Sequence, residues 1–186
     1  MLQSKISIEN ERLQIRGLKD ADLDGLIAMR NDPKIYRFEP TFLLELQGTA
    51  EGALRAIQDM DLEKDRQLIL GIFEKTDPDT LAGLAEFYDY KPSGKVISIG
   101  YRLRPEFWGR GIASCCGLAL LGLLEDHTAV ELVTAHVMCV NKASSRSVLK
   151  CGFEHLITKP EDWGNGAPVM TDVYALDLPR DSTIRR

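Results

Sequence analysis

The order of apolar and polar positions divides the chain into short alternating runs and longer helical ones. Residues 12–18, Arg-Leu-Gln-Ile-Arg-Gly-Leu, alternate and predict a first strand. Lys19-Asp20-Ala21-Asp22 then supplies acidic helix-start chemistry, and Leu23, Leu26, Ile27 and Arg30 recur at helical spacing up to Pro33. The stretch 33–48 has no clean period, and its aromatics Tyr36, Phe38 and Phe42 suit a packed loop or a broken helix. Thr49 predicts an N-cap for a helix over 50–64, with Leu54, Ile57 and Met60 to Leu62 on one side. Strands are predicted over 67–74, 81–90 and 95–103, separated by Asp77-Pro78-Asp79 and Lys91-Pro92-Ser93-Gly94, as an antiparallel meander. In the last of these, Ile97, Ile99, Tyr101 and Leu103 share a face. The helix following Gly111 is apolar almost all round, so it is expected to lie buried against a sheet. A strand over 131–140, a helix over 142–151 and strands over 153–158 and 170–178 complete an α/β (α+β) pattern. It reads as one domain over 1–178 with a polar, frayed tail over 179–186.

Composition narrows the class without naming it. Of 186 residues, 44% are apolar and 27% charged, an ordinary balance for a chain that buries a substantial core. A net charge of −5 gives no positive field for nucleic acid or an anionic membrane, so neither is expected as a partner. The same acidity tolerates a cationic substrate. Cys115, Cys116, Cys139 and Cys151 form no Cys-x-x-Cys pair, and His127, His136 and His155 are scattered, so no metal site is expected. Reduced, mostly buried thiols and the lack of a signal-peptide pattern predict a cytoplasmic protein, monomer or homodimer.

Two strand-to-helix junctions carry the candidate chemistry. At the first, Tyr101-Arg102-Leu103-Arg104-Pro105-Glu106-Phe107-Trp108 leads into Gly109-Arg110-Gly111-Ile112-Ala113-Ser114. Gly109 and Gly111 permit positive φ and close approach of a ligand, while the opening amides of the helix lack helical partners and suit a diphosphate. The same Gly-x-Gly also serves as a plain tight turn. It is not a P-loop, because Gly-x4-Gly-Lys-Ser/Thr is absent. The dinucleotide fingerprint fails at Ser114, lies past mid-chain, and is followed by a strand ending in Asn141 instead of an acidic residue, which disfavours a Rossmann domain. At the second junction Asn141 is placed as N-cap, Ser144 falls at the third helical position, and Gly152 fits a left-handed stop before Phe153. Those roles equally describe an ordinary capped helix.

Taken together, the ordered pair resembles the GNAT superfamily of N-acetyltransferases. Within it, the chain is most similar to the RimJ/RimL type that acetylates ribosomal-protein N-termini. The residues that carry the resemblance are Ile99 to Ala113, then Asn141-x-x-Ser144 with Gly152-Phe153, supported by Arg12 to Arg16, Asp20-x-Asp22, Asn31-Asp32-Pro33 and Val173-Tyr174-Ala175-Leu176. Trp108 stands where many members of the superfamily carry Gln or Arg, and is usual in this branch. The resemblance covers essentially the whole chain. It implies a mixed, mainly antiparallel seven-stranded sheet flanked by helices, splayed between the strands at 95–103 and 131–140. Acetyl-CoA would enter the gap as co-substrate, with no metal. Its pantetheine would pair with the strand edge at Leu103 and Arg104. Its diphosphate would sit on amides over 109–114, with Trp108, Gly109, Arg110, Gly111, Ile112, Ala113 and Ser114 around it. Asn141, Ser144 and Arg146 would complete the binding set.

The implied reaction is direct attack of a primary amine, a protein N-terminal α-amino group or a small-molecule amine, on the acetyl thioester in a ternary complex. A free α-amine with a pKa of about 8 is roughly a tenth neutral at pH 7, whereas lysine at about 10.4 is below a thousandth, so the need for a base depends on the acceptor. Ser144 is the resemblance's proton donor to the leaving thiolate. Glu86, mid-strand in Leu84-Ala85-Glu86-Phe87-Tyr88, is the best carboxylate base, although the same position suits a solvent-facing glutamate. Tyr101 and His136 read as packing residues as readily as catalytic ones. A backbone N–H near Leu103 would polarise the carbonyl. The segments 33–48 and 160–168 are expected to set the acceptor. The alternative is an acyl-CoA-binding sensor or assembly module that keeps the fold without turnover.

Overall fold

The structure, a computed structural model, describes residues 6–38, 48–164 and 166–178. The predicted tail over 179–186 and the part of the acceptor-setting loop over 39–47 lie outside them. Two short strands come first, β1 (Ser7–Glu9) and β2 (Leu13–Arg16). Helices α1 (Leu23–Asn31), α2 (Pro33–Tyr36), α3 (Ala50–Gln58) and α4 (Leu62–Asp65) follow. The central strands are β3 (Leu68–Glu74), β4 (Asp77–Lys91) and β5 (Val96–Leu103). The rest is α5 (Ile112–His127), β6 (Leu132–Met138), α6 (Lys142–Lys150), β7 (Glu154–Glu161) and β8 (Val169–Asp177).

All the strands join one sheet in the order β1-β2-β3-β4-β5-β6-β8-β7, in which β5 and β6 are parallel and every other neighbouring pair is antiparallel. Among the described residues the sheet therefore has eight strands, not the seven the pattern predicts. The added one, β1, is too short to establish a period, and its pairing with β2 is what makes it a strand. The predicted helix over 50–64 is two helices: Asp61 turns extended and its carboxylate caps the amides of Glu63 and Lys64, restarting the chain as α4. The predicted turn at Asp77 to Asp79 is already strand; the reversal sits at Lys75 and Thr76, and register shifts in the β3–β4 pair absorb the extra residues.

Each face of the sheet carries a hydrophobic core. One core packs Phe87, Ile97, Ile99 and Leu103 against Ile112, Cys116, Leu120 and Leu124 of α5. The other packs Ile69, Phe73, Leu81 and Leu84 against Leu26, Met29, Leu54 and Ile57 of α1 and α3. The nearly uniform apolarity of α5 fits its place between the sheet and α6. Over Gly83–Tyr88 of β4 and Ile97–Leu103 of β5, strand alternation sends even-numbered residues to one face and odd-numbered ones to the other, while the register shift at Ala82 puts Leu81 on the same face as Leu84.

The β5–β6 pair fixes where a site can exist. Its register runs only through Val96–Leu132, Ile97–Val133 and Ser98–Thr134, although β5 continues to Leu103 and β6 to Met138. A Ser98–Thr134 hydroxyl contact of 2.8 Å marks the fork. Beyond it the strands diverge, as the resemblance implies.

Candidate active site

The groove on the α5 side of the fork is built from the first junction. After Leu103, a tight helical turn over Pro105–Phe107 and an extended Trp108 carry the chain to Gly109 (φ 72°) and Gly111 (φ 77°). Both glycines are left-handed, so glycine is the residue type this bend favours. The first helical hydrogen bond of α5 is Cys115 N–H to the Gly111 carbonyl at 3.2 Å, which leaves the amides of Ile112, Ala113 and Ser114 outside the helical ladder. Gly111 caps the helix without a side chain, and an added Cβ at Gly109 would meet nothing within 4 Å. The groove has a volume of about 390 Å³ and is lined by this bend and by Asn141, Ser144 and Arg146 of the second junction. Uncommitted amides at a helix N-terminus, beside a bend with no side chain over it, fit a diphosphate.

The bend is held from below by ions. Glu74, buried at the end of β3, accepts from Arg12 at 2.9 Å and from Arg110 at 2.7 Å, and Arg12 Nη1 donates to the Arg110 carbonyl at 2.6 Å. Two guanidiniums on one carboxylate leave a positive excess at the mouth. Arg104 has a different task from the binding role expected of it. Its N–H donates to the Ala82 carbonyl, its Nη1 to the Leu81 carbonyl at 3.1 Å, and its Nη2 pairs with Glu106 at 2.6 Å. The exposed edge of β5 is instead that of Tyr101 and Leu103, whose main-chain groups alternate away from β4. The Leu103 carbonyl on that edge is taken by the Trp108 indole N–H at 2.7 Å.

At the second junction the Asn141 side chain accepts from the Ser144 amide at 3.2 Å. This capping bond occupies its Oδ1 and sets the first turn of α6. Ser144 Oγ lies 3.1 Å from the Tyr101 hydroxyl. Burial pushes the Tyr101 phenol up, against smaller opposing effects of hydrogen bonds with Ser144 and Ser147, so it holds its proton. Arg146 is exposed on the groove rim.

A second cavity of about 660 Å³ lies on the opposite face of the sheet, and Arg102 lines both. Glu86 sits in its wall, 7% exposed and thus not the solvent-facing residue that its strand position also allowed. Its carboxylate pairs with Arg102 at 3.0 Å, itself 5% exposed, and accepts from Gln67 at 2.8 Å. Farther along β6, His136 Nδ1 contacts Glu161 at 2.9 Å. Burial alone would raise the Glu161 carboxyl, but hydrogen bonds and charge from His136 and Lys159 together hold it below the ordinary range. Two cavities on opposite faces, with Arg102 in the lining of both near where two parallel strands part, can bring a donor and an acceptor together from opposite sides.

The family described as the acetyltransferase (GNAT) domain matches residues 12–154. The chain belongs to that family. This GNAT protein is an acetyl-CoA-dependent N-acetyltransferase. Over 183 residues it is 28% identical to YoaA, an uncharacterized N-acetyltransferase of Bacillus subtilis, a match covering 94% of this chain and 98% of that one. In fold it is similar to RimL, the ribosomal L7/L12 α-N-protein acetyltransferase solved with coenzyme A: the TM-score is 0.77 at 20% identity, over 93% of this chain and 98% of RimL. It is also similar to the spermidine N-acetyltransferase of Vibrio cholerae solved with coenzyme A and spermine, with a TM-score of 0.73 at 17% identity over 90% and 96%.

In this acetyltransferase the groove gathers most of the residues singled out in the sequence: Leu103, Trp108, Gly109, Gly111, Ile112, Ala113, Ser114, Asn141, Ser144 and Arg146. Arg110 approaches through its backbone and its ion pair, Arg104 supports the corner, and Glu86 lies on the other face. Sequence reasoning left out the pairing of Tyr101 with Ser144, the Glu86–Arg102 pair, and the acceptor-side wall from Asp65 to Gln67. The alternation of Tyr101 opposite Arg102 on β5 was the available signal for the first two. Of the segments expected to set the acceptor, 160–168 contributes Glu161, Asp162 and Trp163 to the second cavity, whereas Ile35 and Phe38 of the earlier loop line the groove. Among the described residues no helix is long and apolar enough to cross a membrane, and no group of three or more His, Cys, Asp or Glu could hold a metal.

Proposed function

We propose that this enzyme acetylates a primary amine, protein N-terminal or small-molecule, by direct attack in a ternary complex, with acetyl-CoA in the α5 groove and the amine in the cavity beneath Glu86. The observation that carries the reading is the fork at Ser98 and Thr134, with one cavity on each side of it. The relatives that acetylate a ribosomal-protein N-terminus and spermidine support an amine acceptor of either kind.

In this reading the amides over 112–114 and the bend at Gly109 to Gly111 hold the diphosphate, Trp108 holds the β5 edge open by occupying the Leu103 carbonyl, and the Leu103 N–H polarises the thioester carbonyl. The neutral amine nitrogen forms the C–N bond as the C–S bond breaks. Tyr101, kept protonated by burial and linked to Ser144, delivers a proton towards the departing sulfur. The proton lost by the nitrogen leaves on the Glu86 side. Because Arg102 and Gln67 already engage that carboxylate, Glu86 acts by ordering the acceptor and a water path more than as an isolated strong base.

The test is thiol release from acetyl-CoA against peptides, polyamines, aminoglycosides and amino acids, together with Ser144→Ala. Acetylated amine is expected, with turnover in the variant falling far more than acetyl-CoA affinity. Tight acetyl-CoA binding without acetylation of any amine would instead make the chain a binding module.

A further inference from the structure

The proton that the acceptor nitrogen loses must reach a base on the acceptor face. Glu86 is poorly suited to take it, with Gln67 on one carboxylate oxygen and Arg102 on the other. His136 lines the same cavity and is held differently. Its Nδ1 lies 3.0 and 2.9 Å from the two oxygens of Glu161, which also pairs with Lys159 at 2.9 Å. An ionised carboxylate only accepts, so the ring hydrogen sits on Nδ1, and the neutral imidazole carries its lone pair on Nε2. Among the described residues no hydrogen bond to Nε2 is found.

The strand register adds the placement. Counting two residues on from Ser98–Thr134 sets His136 level with Gly100 across the fork. Gly100 also lines the cavity and puts no side chain there. The next residue of β5 is Tyr101, on the groove face, where it meets Ser144. Tyr88 stands edge-on to the imidazole and confines its plane from the β4 side.

Resting on the assignment of this cavity to the acceptor, we infer that His136 takes the proton from the attacking nitrogen, and that Glu161 is the positioning residue that sets its tautomer. As the C–N bond forms and the C–S bond breaks, the proton passes from nitrogen to Nε2, while Tyr101 protonates the departing sulfur. The negative charge of Glu161 offsets the charge the ring gains. Solvent then takes the proton from the imidazolium and restores the one Tyr101 gave, so the net products are the amide and the thiol. Base and acid stand at adjoining levels of the fork, on opposite faces of the sheet.

The experiment uses His136→Gln, checked for folding by circular dichroism, with the amine acetylated fastest in the screen of peptides, polyamines, aminoglycosides and amino acids. At pH 7, kcat is expected to fall about a hundredfold, with acetyl-CoA affinity by calorimetry unchanged. The deficit is expected to narrow by about tenfold at pH 9, where solution chemistry supplies the neutral amine. The other charged and titratable groups of the cavity, from Glu161 and Lys159 on β7 to Tyr88 and Glu86 on β4 and Arg102 on β5, are unchanged and cancel in that ratio. Glu161→Gln, whose carboxamide can donate to Nδ1 and set the other tautomer, is expected to lose about tenfold in kcat with the same narrowing, and carries the test alone if His136→Gln does not fold. A kcat within about threefold of the unmodified enzyme, or a deficit equal at both pH values, overturns the inference and leaves amine acetylation standing. Bound acetyl-CoA with no acetylation of any amine by the unmodified enzyme overturns the acceptor assignment, and this inference with it.

Discussion

Arg12 Nη1 donates to the carbonyl of Arg110 at 2.6 Å, joining the turn that leads into β2 to the bend assigned to the diphosphate. The two residues are far apart in sequence, and Glu74 receives both guanidiniums. The bend therefore owes its shape to an ion cluster as well as to its glycines. Arg12→Ala is expected to cost about 1 kcal/mol of acetyl-CoA binding, roughly fivefold in affinity, through the lost hydrogen bond and charge. Calorimetric titration with acetyl-CoA measures this. The KM for the amine is expected to stay unchanged, because the cluster lies on the groove side only.

Gly111→Val tests the bend from within. At φ 77° a β-branched residue carries backbone strain, while an added Cβ finds its nearest neighbour only 3.7 Å away at Arg12. The fold is expected to survive with a strain of about 1–2 kcal/mol, lowering Tm by roughly 3–8 °C. Acetyl-CoA is expected to lose its stabilising effect on this variant. A normal ligand-induced shift would remove the diphosphate from this bend.

Tyr101→Phe is expected to reduce kcat by about a hundredfold with little change in acetyl-CoA affinity, the scale of a lost general acid. Because burial lifts its pKa above the ordinary tyrosine value, the phenol keeps its proton throughout the neutral and mildly alkaline range. The rate of the unmodified enzyme is therefore expected to rise as the amine deprotonates and to show no alkaline fall below about pH 10. A fall beginning near pH 8 would assign the acid to another group.

The Glu161–His136 contact predicts an acid-side stability effect. The folded Glu161 pKa is depressed, so its contribution is present above the ordinary carboxylate pKa and is lost as pH falls through the lower folded value. Glu161→Gln is expected to lower Tm near pH 6. The difference from the unmodified protein is expected to shrink towards pH 3. Thermal unfolding at both pH values decides it.

The bend at Gly109 to Ser114 and the cap at Asn141 were readable because their signals are local. Left-handed glycines, a proline-broken corner and an Asn three residues before Ser144 act over a few bonds. The long apolar helix α5 was readable for the same reason, since its composition leaves no solvent face of any width. The break between α3 and α4 was harder, because an apolar series runs through Met60 and Leu62 while the decision rests on Asp61 turning to cap its own following turn. Strand β1 had no period of its own and follows from β2 being there to pair with it.

Glu86 and Arg104 mark the boundary more sharply. Both stood out as charged residues in interesting places, yet their tasks depend on partners elsewhere in the fold: Arg102 and Gln67 for the first, Leu81, Ala82 and Glu106 for the second. The acceptor wall draws on α4, β4, β5, β6 and the segment after β7, so no contiguous motif could announce it.

By itself, the order of residues determined most of the segments that are helix or strand and where a backbone bend leaves amides free. These follow from torsional preference and periodicity, which act within a few residues. Only the tertiary structure decided that β5 and β6 part after Ser98, that Tyr101 meets Ser144 across the groove, and that carboxylates from distant segments converge on one cavity. Charge and hydrogen-bond geometry depend on distance in space, and that distance exists only once the sheet has closed its register.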